Sequence, residues 1–138
     1  MIEYDKFQKS LKHLEVQYQH YTTMDENLPE WIKEAIPESI VQRFETCFDS
    51  MWKVLKRYLS DEVGVADLPN GPKPILRIAN ENQLFSSSVE QWIIYLDARN
   101  NTAHDYSEEK ALNTLAIVEN FIDDAIGLYQ TMSGKTWE

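Results

Sequence analysis

The chain has little of what many small enzymes and secreted domains depend on. Of its 138 residues one is cysteine, three are histidine and four are glycine. A single thiol, Cys47, closes no disulfide within the chain, and the expected setting is a reduced, cytoplasmic one. The glycines are scattered, which excludes a glycine-rich phosphate loop. His13, His20 and His104 stand at no metal-ligand spacing with one another or with Cys47, so neither a metal nor a cofactor is expected. With so few histidines a Ser-His-Asp arrangement has no support either. No run approaches the ~18 apolar residues of a membrane span. The start, Met1-Ile2-Glu3-Tyr4-Asp5-Lys6, has neither the basic nor the apolar region of a signal peptide. Positive charge is also scarce: 13 lysines and arginines face 23 acids, a formal net charge of −10. That balance repels polyanions at long range. Nucleic-acid chemistry on this chain would therefore need a local cationic site, or one completed by another subunit.

Apolar periodicity is plentiful. An apolar share of 43% and an aromatic share of 12% suit one folded domain, expected over residues 1–138. Tyr4, Phe7, Leu11, Leu14, Tyr18 and Tyr21 recur at steps of three and four, which predicts an amphipathic helix over residues 2–23. His13 and His20 fall off this stripe and read as surface residues. Leu28 to Ile36 reads as a short helical or turn segment ending before Pro37. A second long helix then opens at Pro37 or Ser39. Its rows Ile40, Phe44, Cys47, Met51, Leu55, Tyr58 and Val41, Phe48, Trp52, Leu59 make a face wide enough to need covering on two sides. Arg43, Glu45, Asp49, Lys53 and Lys56 read as its solvated side.

Gly64, Pro69, Asn70-Gly71, Pro72 and Pro74 mark an internal loop over 61–74, followed by a short helix over about 75–82. Ser87 with Glu90 makes a capping box for a helix from about Val89 to Ala103. Ser107 followed by Glu108 and Glu109 caps the last helix, whose stripe is Ala111, Leu115, Val118, Ile122, Ala125 and Tyr129. That helix is expected to fray between Gly127 and Gly134, leaving a loose tail over about 133–138. Asp123 and Asp124, adjacent and so about 100° apart on a helix, read as solvated. The predicted fold is all-α: an up-and-down bundle of four long helices with one or two short ones.

One stretch departs from ordinary patterning. Val89, Trp92, Leu96, Arg99 and Ala103 form a helical stripe in which an arginine takes a core position. His104 follows five residues later, and Tyr106 after that. A regular helix places positions 99 and 104 about 140° apart. For both to meet one substrate the helix must end or loosen between them, and Asn100-Asn101 is a suitable place. An imidazole takes or gives a proton, and a guanidinium holds the charge that grows on a phosphate, which suffices for RNA cleavage without a metal.

Residues 99–106, R-N-N-T-A-H-D-Y, resemble the R-x4-H-x-Y motif of the HEPN superfamily of small helical proteins. Arg43-Phe44-Glu45, Phe48 and Trp52-Lys53 resemble the R-F-E-x-x-F-x-x-x-W-K signature of its branch of nucleotidyltransferase substrate-binding proteins, which includes the HepT-type toxins. The likeness of size and helix plan covers about residues 1–132. The resemblance implies a homodimer built through the motif-bearing helix, with a cleft between the motif helices. It also implies a cognate small nucleotidyltransferase as partner, and an RNA or nucleotide-acceptor substrate. In the toxin members it implies Arg99 and His104 as catalytic residues, Asn100 as their assistant, and Tyr106 as the tyrosine that the nucleotidyltransferase modifies with AMP. The alternative it leaves open is a non-catalytic subunit that holds the substrate for that nucleotidyltransferase.

Overall fold

A computed structural model describes the backbone of residues 1–104 and 107–138, and the side chains of 1–102 and 107–138. Among them there are five α-helices and no strand: α1 (Asp5–Thr22), α2 (Glu30–Tyr58), α3 (Pro72–Glu81), α4 (Val89–His104) and α5 (Glu108–Ser133). Four are long and α3 is short, which is the predicted all-α class. Helix α2 is the central element and packs against the four others.

The core follows the predicted stripes. Phe7, Leu11 and Leu14 of α1 are buried against α2, whose Ile40, Phe44, Cys47, Phe48, Met51 and Leu55 are fully covered. Phe121 of α5 stands at the centre, with ring centroids 4.9 Å from Phe44, 5.3 Å from Tyr95 and 6.3 Å from Trp92, all edge to face. Burying one such ring is worth about 1.5–3 kcal/mol, with ~1 kcal/mol more for each good aromatic pair. Trp52 is half-buried and packs on the same cluster.

Several boundaries differ from the sequence reading, each for a local reason. Helix α2 opens at Glu30 and runs through Pro37 without a break. A proline there forfeits one backbone bond of a 29-residue helix, and the buried stripe that anchors the helix begins just beyond it at Ile40. Its far end passes into a π-helical segment, Leu59–Val63, that stops at Gly64 with φ 85°, so the loop starts later than residue 61. Helix α3 opens at Pro72 rather than 75, since prolines in a first turn sacrifice only amides that have no partner there. Helix α4 is capped by Ser88, whose Oγ accepts from the amide of Gln91 at 3.2 Å. Ser87, expected to be the cap, donates its hydroxyl to Asp124 instead. Ser107 caps α5 as predicted, accepting from the Lys110 amide.

Helix α5 does not fray at Gly127. Leu128, Tyr129 and Met132 are buried beyond it, and the helix ends at Gly134 with φ 74°. The tail expected to be loose folds back on α1: Trp137 donates from Nε1 to Glu15, meets Tyr129 edge to face at 5.4 Å, and lies under the Lys12 ammonium.

Candidate functional site

Arg99 occupies the core-facing stripe of α4 that the sequence assigned to it, and it is held there by α2. Its Nε donates to Asp49 Oδ1 at 2.9 Å and its Nη2 to Oδ2 at 2.8 Å, a two-pronged ion pair. The side chains are 26% and 35% exposed, so the pair is partly shielded from water. Hydrogen bonding to Asp49 raises the Arg99 pKa above the ordinary arginine value, against the opposing effect of burial. The guanidinium therefore carries its charge at every working pH. It has five N–H donors, and among the described residues two of them are engaged.

One turn further along α4, buried Thr102 donates its hydroxyl to Glu45 Oε2 at 2.8 Å, with the Ala98 carbonyl at 3.2 Å as a second acceptor. Glu45 and Asp49 are four residues apart on α2, and Thr102 and Arg99 three apart on α4. The pairing runs in opposite directions along the two helices, which fixes them antiparallel and in register. The sequence reading had put Glu45 and Asp49 on a solvated face. They are partly buried partners of the motif helix. The signal that could have found them is their one-turn spacing beside the apolar row of Phe44 and Phe48, where a carboxylate demands a donor.

The expected loosening at Asn100-Asn101 is absent. Both residues are exposed, and α4 continues unbroken to His104. A loosened turn would forfeit backbone bonds, and nothing in these two side chains compensates for that loss. Positions 99 and 104 therefore stay about 140° apart on a regular helix. The side chain of His104, and Asp105 and Tyr106 entirely, lie outside the described residues. Arg99 and Asn100 are placed, while the geometry of His104 and Tyr106 toward them is not.

A second polar cluster lies where α4 meets α5. Tyr95 and Ser87 both donate their hydroxyls to Asp124, the residue expected to be solvated. Burial pushes the Tyr95 pKa up, and its bond to Asp124 pushes it further. This cluster ties the start of α4 to α5. Cys47 lies wholly in the core, and burial pushes its thiol up to about 12. Among the described residues no group of three or more His, Cys, Asp or Glu could hold a metal ion, and no helix is long and apolar enough to cross a membrane.

A five-helix bundle with an arginine lodged between α2 and α4, carrying the second-helix signature on α2, defines a class. The chain belongs to the family described as nucleotidyltransferase substrate binding protein like, whose model matches residues 2–134. Among individual proteins it is similar to the probable ribonuclease HepT of Haemophilus influenzae, with 29% identity over 106 residues, 75% of this chain and 72% of the relative. Its fold matches a Haemophilus influenzae structure described as the substrate binding domain of a nucleotidyltransferase. There the TM-score is 0.83 at 24% identity, over 95% of this chain and 99% of the other. A crystal structure from Thermus thermophilus matches with TM-score 0.75 and 22% identity, over 91% of this chain and 98% of the other.

Proposed function

We propose that this chain is a HepT-like toxin: a metal-independent endoribonuclease that acts as a homodimer and is silenced by a cognate nucleotidyltransferase. The observation that carries the reading is Arg99. It is charged and locked by Asp49, which among the described residues engages two of its five N–H donors, the state a phosphate-binding catalytic arginine needs. The likeness to a probable ribonuclease supports the same reading. In the reaction the 2′-hydroxyl attacks the adjacent phosphorus and the bond to the 5′-oxygen breaks. His104 takes the first proton or supplies the second, Arg99 holds the charge on the phosphoryl oxygens, and Asn100 assists. Helical positions 99 and 104 diverge, so the pair that serves one phosphate comes from two subunits facing each other through α4. Transfer of AMP from ATP to the Tyr106 hydroxyl, with release of pyrophosphate, adds bulk and negative charge beside the site and shuts out RNA.

The family description favours a second reading, a subunit that binds the acceptor substrate for its nucleotidyltransferase and does no chemistry itself. In that case Arg99 grips an anionic group of the substrate. RNA cleavage by the partner-free protein in EDTA separates the two, with intact mass recorded on the same sample. Cleavage by the wild type that is lost in Arg99→Ala and His104→Ala establishes the nuclease. No cleavage by folded, unmodified dimer across a broad panel of RNAs overturns it in favour of the binding subunit.

A further inference from the structure

Arg99 alone does not make a polyanion site. Asp49 neutralises it, Glu45 stands close enough to add a further negative charge, and the whole chain is strongly acidic. An incoming phosphodiester chain needs cations from elsewhere, and the outer groove between α1 and α2 supplies them. Two open cavities lie along it, of about 530 and 670 Å³, and they share Thr46. The first is lined by His13 and Arg43, the second by Lys6, Lys53 and Arg57. Asp49, whose carboxylate holds Arg99, lines the second as well. The groove therefore runs up to the residue that holds the arginine.

The cations are available. Lys6, Arg43 and Lys53 form no ion pair among the described residues, whereas Lys12 and Lys33 are each spent on a neighbouring glutamate. Arg43 donates to the Ser39 hydroxyl, which orients it without neutralising it. Arg57 is paired with Asp61. On α2 the unpaired Arg43 and Lys53 stand about 15 Å apart along the axis at 1.5 Å per residue, with the paired Arg57 one turn beyond. Of the two carboxylates lining the groove, Glu3 and Asp49, the second already faces Arg99. A lone phosphate would use one or two of these charges. A linear row of them fits a chain of phosphates.

We infer that the groove between α1 and α2 is the track along which the phosphate backbone of single-stranded RNA reaches Arg99, with Lys6, Arg43 and Lys53 as its principal contacts. This rests on the ribonuclease reading for its substrate, and it is tested by binding so that the two stand or fall apart. The probe is a fluorescent 2′-O-methyl oligonucleotide, which cannot be cleaved by attack of its 2′-oxygen. Its anisotropy is followed at several salt concentrations with the full chain. Replacing Lys6, Arg43 and Lys53 by glutamine should weaken binding about tenfold or more at low salt. It should also flatten the slope of log K against log salt by about 2, at about 0.7 for each phosphate no longer neutralised. Lys73→Gln with Arg77→Gln on α3 should leave both unchanged. If the triple variant does not fold, Lys53→Gln alone, on an exposed side chain, should lower the slope by about 0.7.

Unchanged affinity and slope in the folded variant overturn the track, as does an equal loss in the α3 variant. A polyglutamate peptide that binds as tightly and is lost in the same variant overturns it in favour of an acidic polypeptide. Cleavage of unmodified RNA by the wild type is scored separately. Cleavage with an unaffected triple variant refutes the groove and spares the nuclease. Variant-sensitive binding without cleavage does the reverse.

Discussion

The pairing of Arg99 with Asp49 makes a quantitative prediction about stability. An exposed ion pair is worth about 0.2–1 kcal/mol, and breaking a buried one costs about 3–5 kcal/mol. This pair is a quarter to a third exposed, two-pronged, and backed by the helix register. Discounted for solvent screening, its coupling should be about 1–2 kcal/mol. In a double-mutant cycle, Asp49→Ala and Arg99→Ala should each destabilise the fold by about that amount. The double variant should lose little more than either single one, since each single change strands a partly buried charge. Asp49→Asn, which keeps one acceptor, should fall between wild type and Asp49→Ala.

The assay is urea denaturation followed by circular dichroism, with midpoints and slopes for the four proteins. At this chain length 1 kcal/mol corresponds to about 3 °C in Tm, a second readout of the same cycle. In molar salt the coupling should shrink but survive, because the pair is partly shielded. Additivity to within about 0.3 kcal/mol would refute the claim that Asp49 holds Arg99, whatever the activity assays show. If the hold is real, Asp49→Ala should also lower any ribonuclease activity toward that of Arg99→Ala, although Asp49 need not touch the substrate.

Tyr95 should make the protein sensitive to alkali. Its folded pKa is raised, so the unfolded chain loses that proton first. Its contribution to stability is complete below about pH 10 and falls above it by about 1.4 kcal/mol per pH unit. Tyr95→Phe should flatten that fall in urea titrations between pH 9 and 11.5, and an identical slope would refute the assignment. Ser87→Ala and Tyr95→Phe, which share Asp124, should be non-additive, whereas Ser88→Ala should add independently the ~1 kcal/mol of a lost cap. Cys47, fully buried with its thiol pushed up to about 12, should react with a disulfide reagent at pH 8 only as fast as the chain opens. Rapid labelling of the folded protein would contradict its burial.

The stripes were legible because apolar spacing reports which side of a helix is covered, and that is settled within each helix. Phe44, Phe48, Leu115 and Val118 are core residues by that criterion and by structure. Polar partners were not legible, because a carboxylate on a helix looks the same whether it meets water or a donor on another helix. Asp49, Glu45 and Asp124 were all read as solvated, and all three accept from α4 or from the loop before it. Pro37 and Gly127 misled for a related reason. Their local cost is about 1–3 kcal/mol; burial on either side of Gly127 outweighs it, and for Pro37 the buried stripe that begins at Ile40 does. Ser87 and Ser88 are equally good caps by type, and what chose between them is the demand of Asp124, 37 residues away.

The second-helix signature and the R-x4-H-x-Y motif were recognised as two separate strings, yet the structure joins them physically. Phe44 and Phe48 face the core, and the acids that follow each, Glu45 and Asp49, are turned by about 100° toward α4. One turn of α2 therefore presents two carboxylates about 6 Å apart along the axis, and α4 answers with Arg99 and Thr102 about 4.5 Å apart. Antiparallel helices tolerate that small mismatch because arginine is long and its fork is directional. Sliding α4 by one residue would take Arg99 off Asp49 and rotate Thr102 away from Glu45 together, exposing Leu96 in the process. The aromatic residues of the signature thus set where α2 lies, and its acids set how far along α2 the arginine sits. The arginine occupies a core-stripe position in the sequence because its partner is a half-buried carboxylate on the neighbouring helix.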